Sequence, residues 1–276
     1  MKHFDGKVAA ITGAASGMGR TLAVDLARRG CHLALSDVDE AGLAETALRA
    51  RRHGVDVTTA RLDVAERDAV HAWADAVVAD HGRVNLIFNN AGVALGATVD
   101  GMDYADLDWL MGINFWGVVH GTKAFLPHLK AAGEGHVVNI SSVFGLLGIP
   151  SQSAYNAAKF AVRGFTEALR LELDIERCGV SATAIHPGGI KTNIARNARI
   201  RASVGDVEID PAQARQEFER LFITSPEKAA KVIIRAVQLD KRRAMVGPDA
   251  HALDVLARMP PGLYQRLIAL GARRSM

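Results

Sequence analysis

Val8-Ala9-Ala10-Ile11-Thr12-Gly13-Ala14-Ala15-Ser16-Gly17-Met18-Gly19 is a short apolar run that breaks into small residues and three glycines. Val8 to Ile11 has the length and composition of a buried strand. The residues from Arg20 to Arg29 then read as a helix. Strand, glycine turn and helix in that order make a Gly-x-x-x-Gly-x-Gly spacing meaningful. Glycine lets the backbone turn tightly and approach a ligand closely. The unpaired N–H groups at the helix start then face an anion such as a pyrophosphate.

Outward from this segment the chain alternates strand and helix. Strands are expected at 8–12, 32–36, 55–62, 84–88, 136–140, 180–186 and 244–247. Helices are expected near 18–29, 40–52, 66–80, 103–131, 154–176 and 226–240. Such alternation with short connections predicts an α/β fold: one Rossmann-like domain, a doubly wound parallel sheet with helices on both faces. Right-handed crossovers place a ligand at the carboxyl edge of that sheet. The expected domain runs over 1–248, followed by a C-terminal extension, 249–276. Gly112, Gly117 and Gly121 interrupt the 103–131 stretch, as bends or as points of tight helix packing.

With 276 residues and 49% hydrophobic content the chain can bury a large core. Its 33 basic and 30 acidic residues are interleaved and leave a net charge of +3, which points away from nucleic acid. Cys31 and Cys178 match no metal spacing and read as free thiols in a reducing, cytoplasmic compartment. The ten histidines form no His-Glu-x-x-His pattern, so no metal is expected. His186 reads as packing or surface. No apolar run has the length of a transmembrane segment, and residues 1–7 lack a signal-peptide core.

Tyr155-Asn156-Ala157-Ala158-Lys159 sets a phenol and an ammonium on one helix face. A free phenol titrates near 10, too high for a base at neutral pH. A fixed positive charge lowers that value, and a shift of two or three units needs about 3–4 kcal/mol. Lys159, helped by a positively charged cofactor ring, is the expected source.

Taken together, Thr12 to Gly19, Asn89-Asn90-Ala91-Gly92, Asn114, Ser141-Ser142, Tyr155 with Lys159, and Pro187-Gly188 followed by Thr192 resemble the short-chain dehydrogenase/reductase family. The pieces fall in family order over roughly residues 5 to 192. The resemblance implies an oxidoreductase that moves a hydride between a nicotinamide cofactor and a secondary alcohol or ketone. It assigns Asn114, Ser142, Tyr155 and Lys159 to catalysis. Ser142, thirteen residues before Tyr155, is selected over Ser141. Tyr155 would be the general acid/base, Lys159 its modulator and a ribose ligand, Ser142 the group orienting the reacting oxygen, and Asn114 a support for a water relay.

For the cofactor, the resemblance places Thr12, Gly13, Ser16, Gly17, Met18 and Gly19 around the phosphates, and Asp63 and Val64 at the adenine. It places Asn90, Ala91 and Gly92 near a ribose, where Tyr155 and Lys159 also lie. Pro187, Gly188, Ile190 and Thr192 would meet the nicotinamide carboxamide. Asp37 ends the second strand, where a carboxylate accepts from ribose hydroxyls and repels a 2′-phosphate. Asp39 remains to cap the next helix. Ser16 and Val38 stand where NADP-preferring relatives often carry a basic residue. NAD is therefore the expected cofactor. NADP is the alternative, with Arg20 as its phosphate partner.

Apolar residues Val143, Phe144, Leu146, Leu147 and Ile149 form the expected substrate wall, suited to a lipophilic alcohol or ketone. Residues 193–225 read as a lid, whose arginines, Arg196, Arg199 and Arg201, read as a solvated face or as a site for an anionic substrate. An NADP-dependent reductase of acyl or sugar carbonyls and a non-catalytic nucleotide sensor are the competing functions. The extension carries leucines and arginines around Pro260-Pro261, for packing on the domain or a partner subunit, with peripheral membrane contact as the second reading. The resemblance further implies a homotetramer or homodimer packed through helices near 103–131 and 154–176.

Overall fold

A computed structural model describes residues 1–201, 203–204, 207–208 and 222–275. Seven parallel strands form one sheet: β1 (Val8–Thr12), β2 (His32–Asp37), β3 (Val57–Arg61), β4 (Leu86–Asn89), β5 (Gly135–Ile140), β6 (Val180–Pro187) and β7 (Arg243–Val246). Their spatial order is β7-β6-β5-β4-β1-β2-β3. Strand order reverses between β1 and β4, and the crevice above their carboxyl ends is the ligand position of doubly wound sheets.

The pleat sorts the core into two layers. Ala9, Ile11, Leu86, Phe88, Val138 and Ile140 pack on one face, under α1 (Gly17–Ala27), α2 (Glu40–Arg51) and α7 (Pro226–Gln238). Val8, Ala10, Ile87 and Val137 pack on the other, under α3 (Arg67–His81), α5 (Gly117–Ala131) and α6 (Ser153–Glu176). Burial on both faces explains why these strands read as continuous apolar runs. A buried polar ladder crosses the second layer. Asn89 donates to Thr122 at 3.1 Å and to Asn139 at 2.8 Å, and Asn139 donates to Thr166 at 3.0 Å.

The 103–131 helix is not continuous. It comprises α4 (Tyr104–Met111), a π-helical turn at Gly112–Trp116, and α5. Gly117 lets the chain pass Val64, whose Cγ2 would lie 2.6 Å from a β-carbon built there. After β7 come α8 (Pro248–Ala257) and α9 (Pro261–Ser275). Two-residue strands Leu95–Gly96 and Arg199–Ile200 pair in parallel beside the crevice. Residues 202, 205–206 and 209–221 of the expected lid lie outside the described residues. Among those described, no helix is long and apolar enough to cross a membrane, and no cluster of metal-binding side chains occurs.

Candidate active site

The first glycine loop closes over the β1–β4 switch. Gly13 adopts φ +65°, and a β-carbon there would sit 2.8 Å from Ala91 Cα. At Gly19 a β-carbon would fall onto the Gly13 carbonyl oxygen. Helix α1 can start this close to the loop only without those side chains. Thr12 ties the two strands together, its hydroxyl accepting from the N–H groups of Asn90 and Ala91, each at 3.0 Å. The Asn90 amide donates back to the carbonyls of Thr12 and Gly13, at 2.9 and 3.1 Å. Ser16 is the N-cap of α1 and spends no side-chain hydrogen bond on that cap.

Asp37 projects from the end of β2. One carboxylate oxygen accepts from Ala15 N–H at 2.9 Å and the other from Asp39 N–H at 3.0 Å. Asp39 caps α2 through Gly42 N–H at 3.0 Å. Asp63 accepts from Ala65 N–H at 2.9 Å, an Asx turn at the cleft rim. Val64 is buried against Gly117. Arg20 does not reach outward for a phosphate. Its guanidinium donates to Thr46 at 3.0 Å, to Gly42 O at 3.2 Å and to Ala15 O, and pairs with Glu45 at 2.9 Å. These partners hold it beneath the loop.

Two connected hollows follow. One of about 510 Å³ runs past Gly13, Ser16, Gly17, Asp37, Asp63, Val64 and Ala91. The second, about 280 Å³, is lined by Ser142, Tyr155, Lys159, Pro187, Gly188 and Ile190. Met18, Asn90, Gly92 and Thr192 belong to both. Val143 and Phe144 form the apolar wall as expected, but Leu146, Leu147 and Ile149 do not line it. Ile194, Phe222 and Leu253 take their place.

Helix α6 delivers Tyr155, half-buried, and Lys159, buried, into this second hollow. Ser141 and Ser142 end β5 but point to different tasks. Ser141 donates to Lys159 O at 2.8 Å within the protein. Ser142 hydrogen-bonds Tyr155 and accepts from Phe144 N–H at 3.1 Å. Burial pushes the Tyr155 phenol up to about 12, and only the Ser142 hydrogen bond pulls the other way. Burial pushes the Lys159 ammonium down to about 8. Lys159 Nζ donates to Ile140 O at 3.0 Å and lies 5.6 Å from the Tyr155 ring centre. Lys159 by itself therefore does not lower the phenol as expected. Loss of hydration at the phenolate outweighs an ammonium whose own charge the same burial disfavours.

Asn114 sits in the π-helical turn, fully buried. Its amide accepts from Val93 N–H and donates to Val93 O, both at 2.8 Å. The side chain is thus spent on holding Val93 rather than offered to Lys159. It does flank Gly92: a β-carbon there would stand 3.2 Å from Asn114 Oδ1 and 3.7 Å from Lys159 Nζ.

At the far end, Pro187 to Thr192 forms a turn whose backbone is largely committed. Gly188 N–H donates to Val246 O at 3.0 Å, Lys191 N–H to Thr224 O at 2.9 Å, and Thr192 N–H to Ile190 O at 2.8 Å. Among the described residues, the Ile190 N–H has no protein partner. Thr192 reaches across to the glycine loop, with Cγ2 3.0 Å from a β-carbon built on Gly17.

Sequence reasoning missed two groups. His186 is fully buried, and its Nδ1 lies 2.8 Å from Ser142 O. Burial pushes its imidazole down to about 4, so the neutral ring donates from Nδ1 and fixes the Ser142 backbone. Asp249, from the extension, accepts from Gly189 N–H at 2.6 Å. Arg199 and Arg201, read as surface or anion-binding groups, instead flank buried Asp106 at 3.4 and 2.5 Å, with Arg199 stacked 3.6 Å over Trp109.

Comparison with known proteins agrees with this geometry. The family model described as short chain dehydrogenase matches residues 7–202. Mycobacterium tuberculosis SadH, which carries an oxidoreductase name, is 54% identical over 274 residues, covering 99% of this chain and 98% of that protein. A short-chain dehydrogenase/reductase from Burkholderia phymatum, solved in complex with NAD, superposes with a TM-score of 0.85 at 35% identity, covering 93% of this chain and 94% of that one. A short-chain dehydrogenase from Mycobacterium paratuberculosis bound to NAD superposes with a TM-score of 0.76 at 26% identity, covering 88% and 97%. This chain belongs to the short-chain dehydrogenase family and is an NAD(P)-dependent oxidoreductase.

Proposed function

We propose that this enzyme transfers hydride between NAD and a lipophilic secondary alcohol or its ketone, with Tyr155 as general acid/base. The observation that carries the reading is the meeting of Ser142, Tyr155 and Lys159 in one largely apolar hollow continuous with the glycine-loop cleft. The cleft suits a dinucleotide: Gly13 and Gly17 leave a cradle that side chains would fill, and the Ile190 N–H has no partner among the described residues. Thr12, Gly13, Ser16, Gly17, Met18 and Gly19 would hold the pyrophosphate, with Asp63 and Val64 at the adenine. Asn90, Ala91, Gly92 and Lys159 would hold the second ribose, and Pro187, Gly188, Ile190 and Thr192 the carboxamide. Bound there, the nicotinamide would supply the hydride acceptor or donor and, when oxidised, a positive charge.

The protein's own part is proton handling. Ser142 donates to the substrate oxygen and orients it beside the Tyr155 hydroxyl. A phenol held near 12 is protonated at neutral pH, which makes Tyr155 ready as an acid toward a forming alkoxide. As a base toward an alcohol, it needs its proton affinity reduced by added positive charge. Asn114 acts by placing Val93 and Gly92 beside Lys159.

NAD is preferred over NADP because Asp37 keeps an anionic rim at the end of β2 and Arg20 is already committed. The solved relatives with bound NAD support the same preference. Reduced nicotinamide formation should be followed with NAD and NADP across a panel of lipophilic secondary alcohols, with turnover expected mainly with NAD. Turnover mainly with NADP overturns the Asp37 reading.

The domain at 1–248 would assemble as a homodimer or homotetramer through α5 and α6. Phe160, Leu171 and Ile175 on α6 are 41%, 58% and 82% exposed, as is half of Trp116 just before α5, and an apolar partner surface would cover them. Light scattering should give a multiple of 29.5 kDa; a monomer at micromolar concentration sinks this assembly. Cys31 and Cys178 are free, and burial pushes the Cys31 thiol up to about 12, which suits a reducing, cytoplasmic compartment.

A further inference from the structure

The segment after β7 enters the site itself. Gly247 adopts φ +105° and turns the chain into α8, whose second residue is Asp249. That carboxylate passes beneath the turn after β6. Its Oδ2 accepts from Gly189 N–H at 2.6 Å, and a β-carbon at Gly188 would collide with it. Its Oδ1 is enclosed and has no partner among the described residues. A carboxylate held in this way, with one oxygen short of a donor, serves the contact its other oxygen makes. Asp249 and Leu253 also line the hollow that contains Tyr155.

The turn is therefore anchored from three separate places. Val246 O receives the Gly188 N–H, Asp249 the Gly189 N–H, and Thr224 O the Lys191 N–H. Beside these three contacts, the Ile190 N–H has no partner among the described residues. We propose that Asp249 is a positioning residue of the active site: by holding Gly189 it aims the Ile190 N–H at the nicotinamide carboxamide. The C-terminal segment is thus a working part of the cofactor site rather than an appendage. This role rests on the dinucleotide reading given above.

The test compares Asp249→Ala and Asp249→Asn for KM of NAD, kcat, NADH affinity by fluorescence, and melting temperature. Asp249→Ala is expected to raise KM for NAD and weaken NADH binding by about ten-fold, the size of one lost charge-assisted hydrogen bond. Asp249→Asn, whose amide oxygen still accepts from Gly189 N–H, is expected to restore most of that loss. A melting temperature lowered alike in both variants with KM unchanged overturns the role and leaves Asp249 purely structural. If Asp249→Ala does not fold, Asp249→Glu carries the test, since one added methylene displaces the acceptor; an unchanged KM there overturns the role. A wild-type enzyme that binds neither NADH nor NADPH overturns the dinucleotide reading as well. Wild-type binding with an unaffected Asp249→Ala overturns this inference alone.

Discussion

Tyr155→Phe is expected to lower turnover by at least about 100-fold while leaving NADH affinity nearly unchanged. The substitution removes one oxygen and little else. The ring packs edge-on against Phe144 with centres 6.0 Å apart, a contact that phenylalanine keeps. Ser142 retains its hydrogen bond from Phe144 N–H, so the wall of the hollow stays in place. What disappears is the hydroxyl that stands beside Ser142 in the hollow. A loss in kcat and kcat/KM together, without a change in NADH binding, is the signature of a group acting in the transition state. Turnover within a few-fold of wild type would remove Tyr155 from the chemistry.

Between pH 7 and pH 5 the protein is expected to lose about 4 kcal/mol of folding stability through two buried histidines. Burial pushes His136 down to about 3 and His186 to about 4. In the unfolded chain both take up a proton near 6.5. Between that value and their folded values the unfolded state binds more protons, so stability falls as pH falls. At pH 5 each group has crossed about 1.5 units of that window, at roughly 1.4 kcal/mol per unit. Such a loss is a large part of the typical total for a domain. Urea denaturation at the two pH values measures it. A flat profile would mean that these rings are already charged or hydrated in the folded protein. Neither ring has its second nitrogen paired among the described residues, which leaves no acceptor to stabilise the extra proton.

The sheet strands were legible in the sequence because the central ones are buried on both faces and all are bounded by glycine or polar turns. The third strand is shorter than expected, Val57–Arg61 rather than 55–62, since its edge position relaxes the apolar pattern. The long helical stretch at 103–131 hid its break: a π-helical turn keeps helical periodicity, and Gly112 and Gly117 were its only marks. The glycine loop and the Tyr155–Lys159 pair announced themselves through spacing. The electrostatics of that pair did not, because burial acts on both groups and a linear sequence records only their separation. The partners of Arg20, His186 and Asp249 were not legible for one reason. Their partners, Thr46, Ser142 and Gly189, lie 26, 44 and 60 residues away.

The turn after β6 has a consequence for the order in which a nascent chain matures. Val246 and Thr224, which hold Gly188 and Lys191, are made well after the strand they support. Strands β1 to β6 can pair as soon as residue 187 has emerged, each beside an earlier neighbour or one close behind it. The cleft cannot take its final shape until the edge strand β7 has docked on β6. During synthesis the N-terminal portion of the chain emerges first. A ribosome-bound chain halted before residue 243 would thus carry most of the core and the glycine loop, yet lack the Val246 and Asp249 tethers of its cofactor edge.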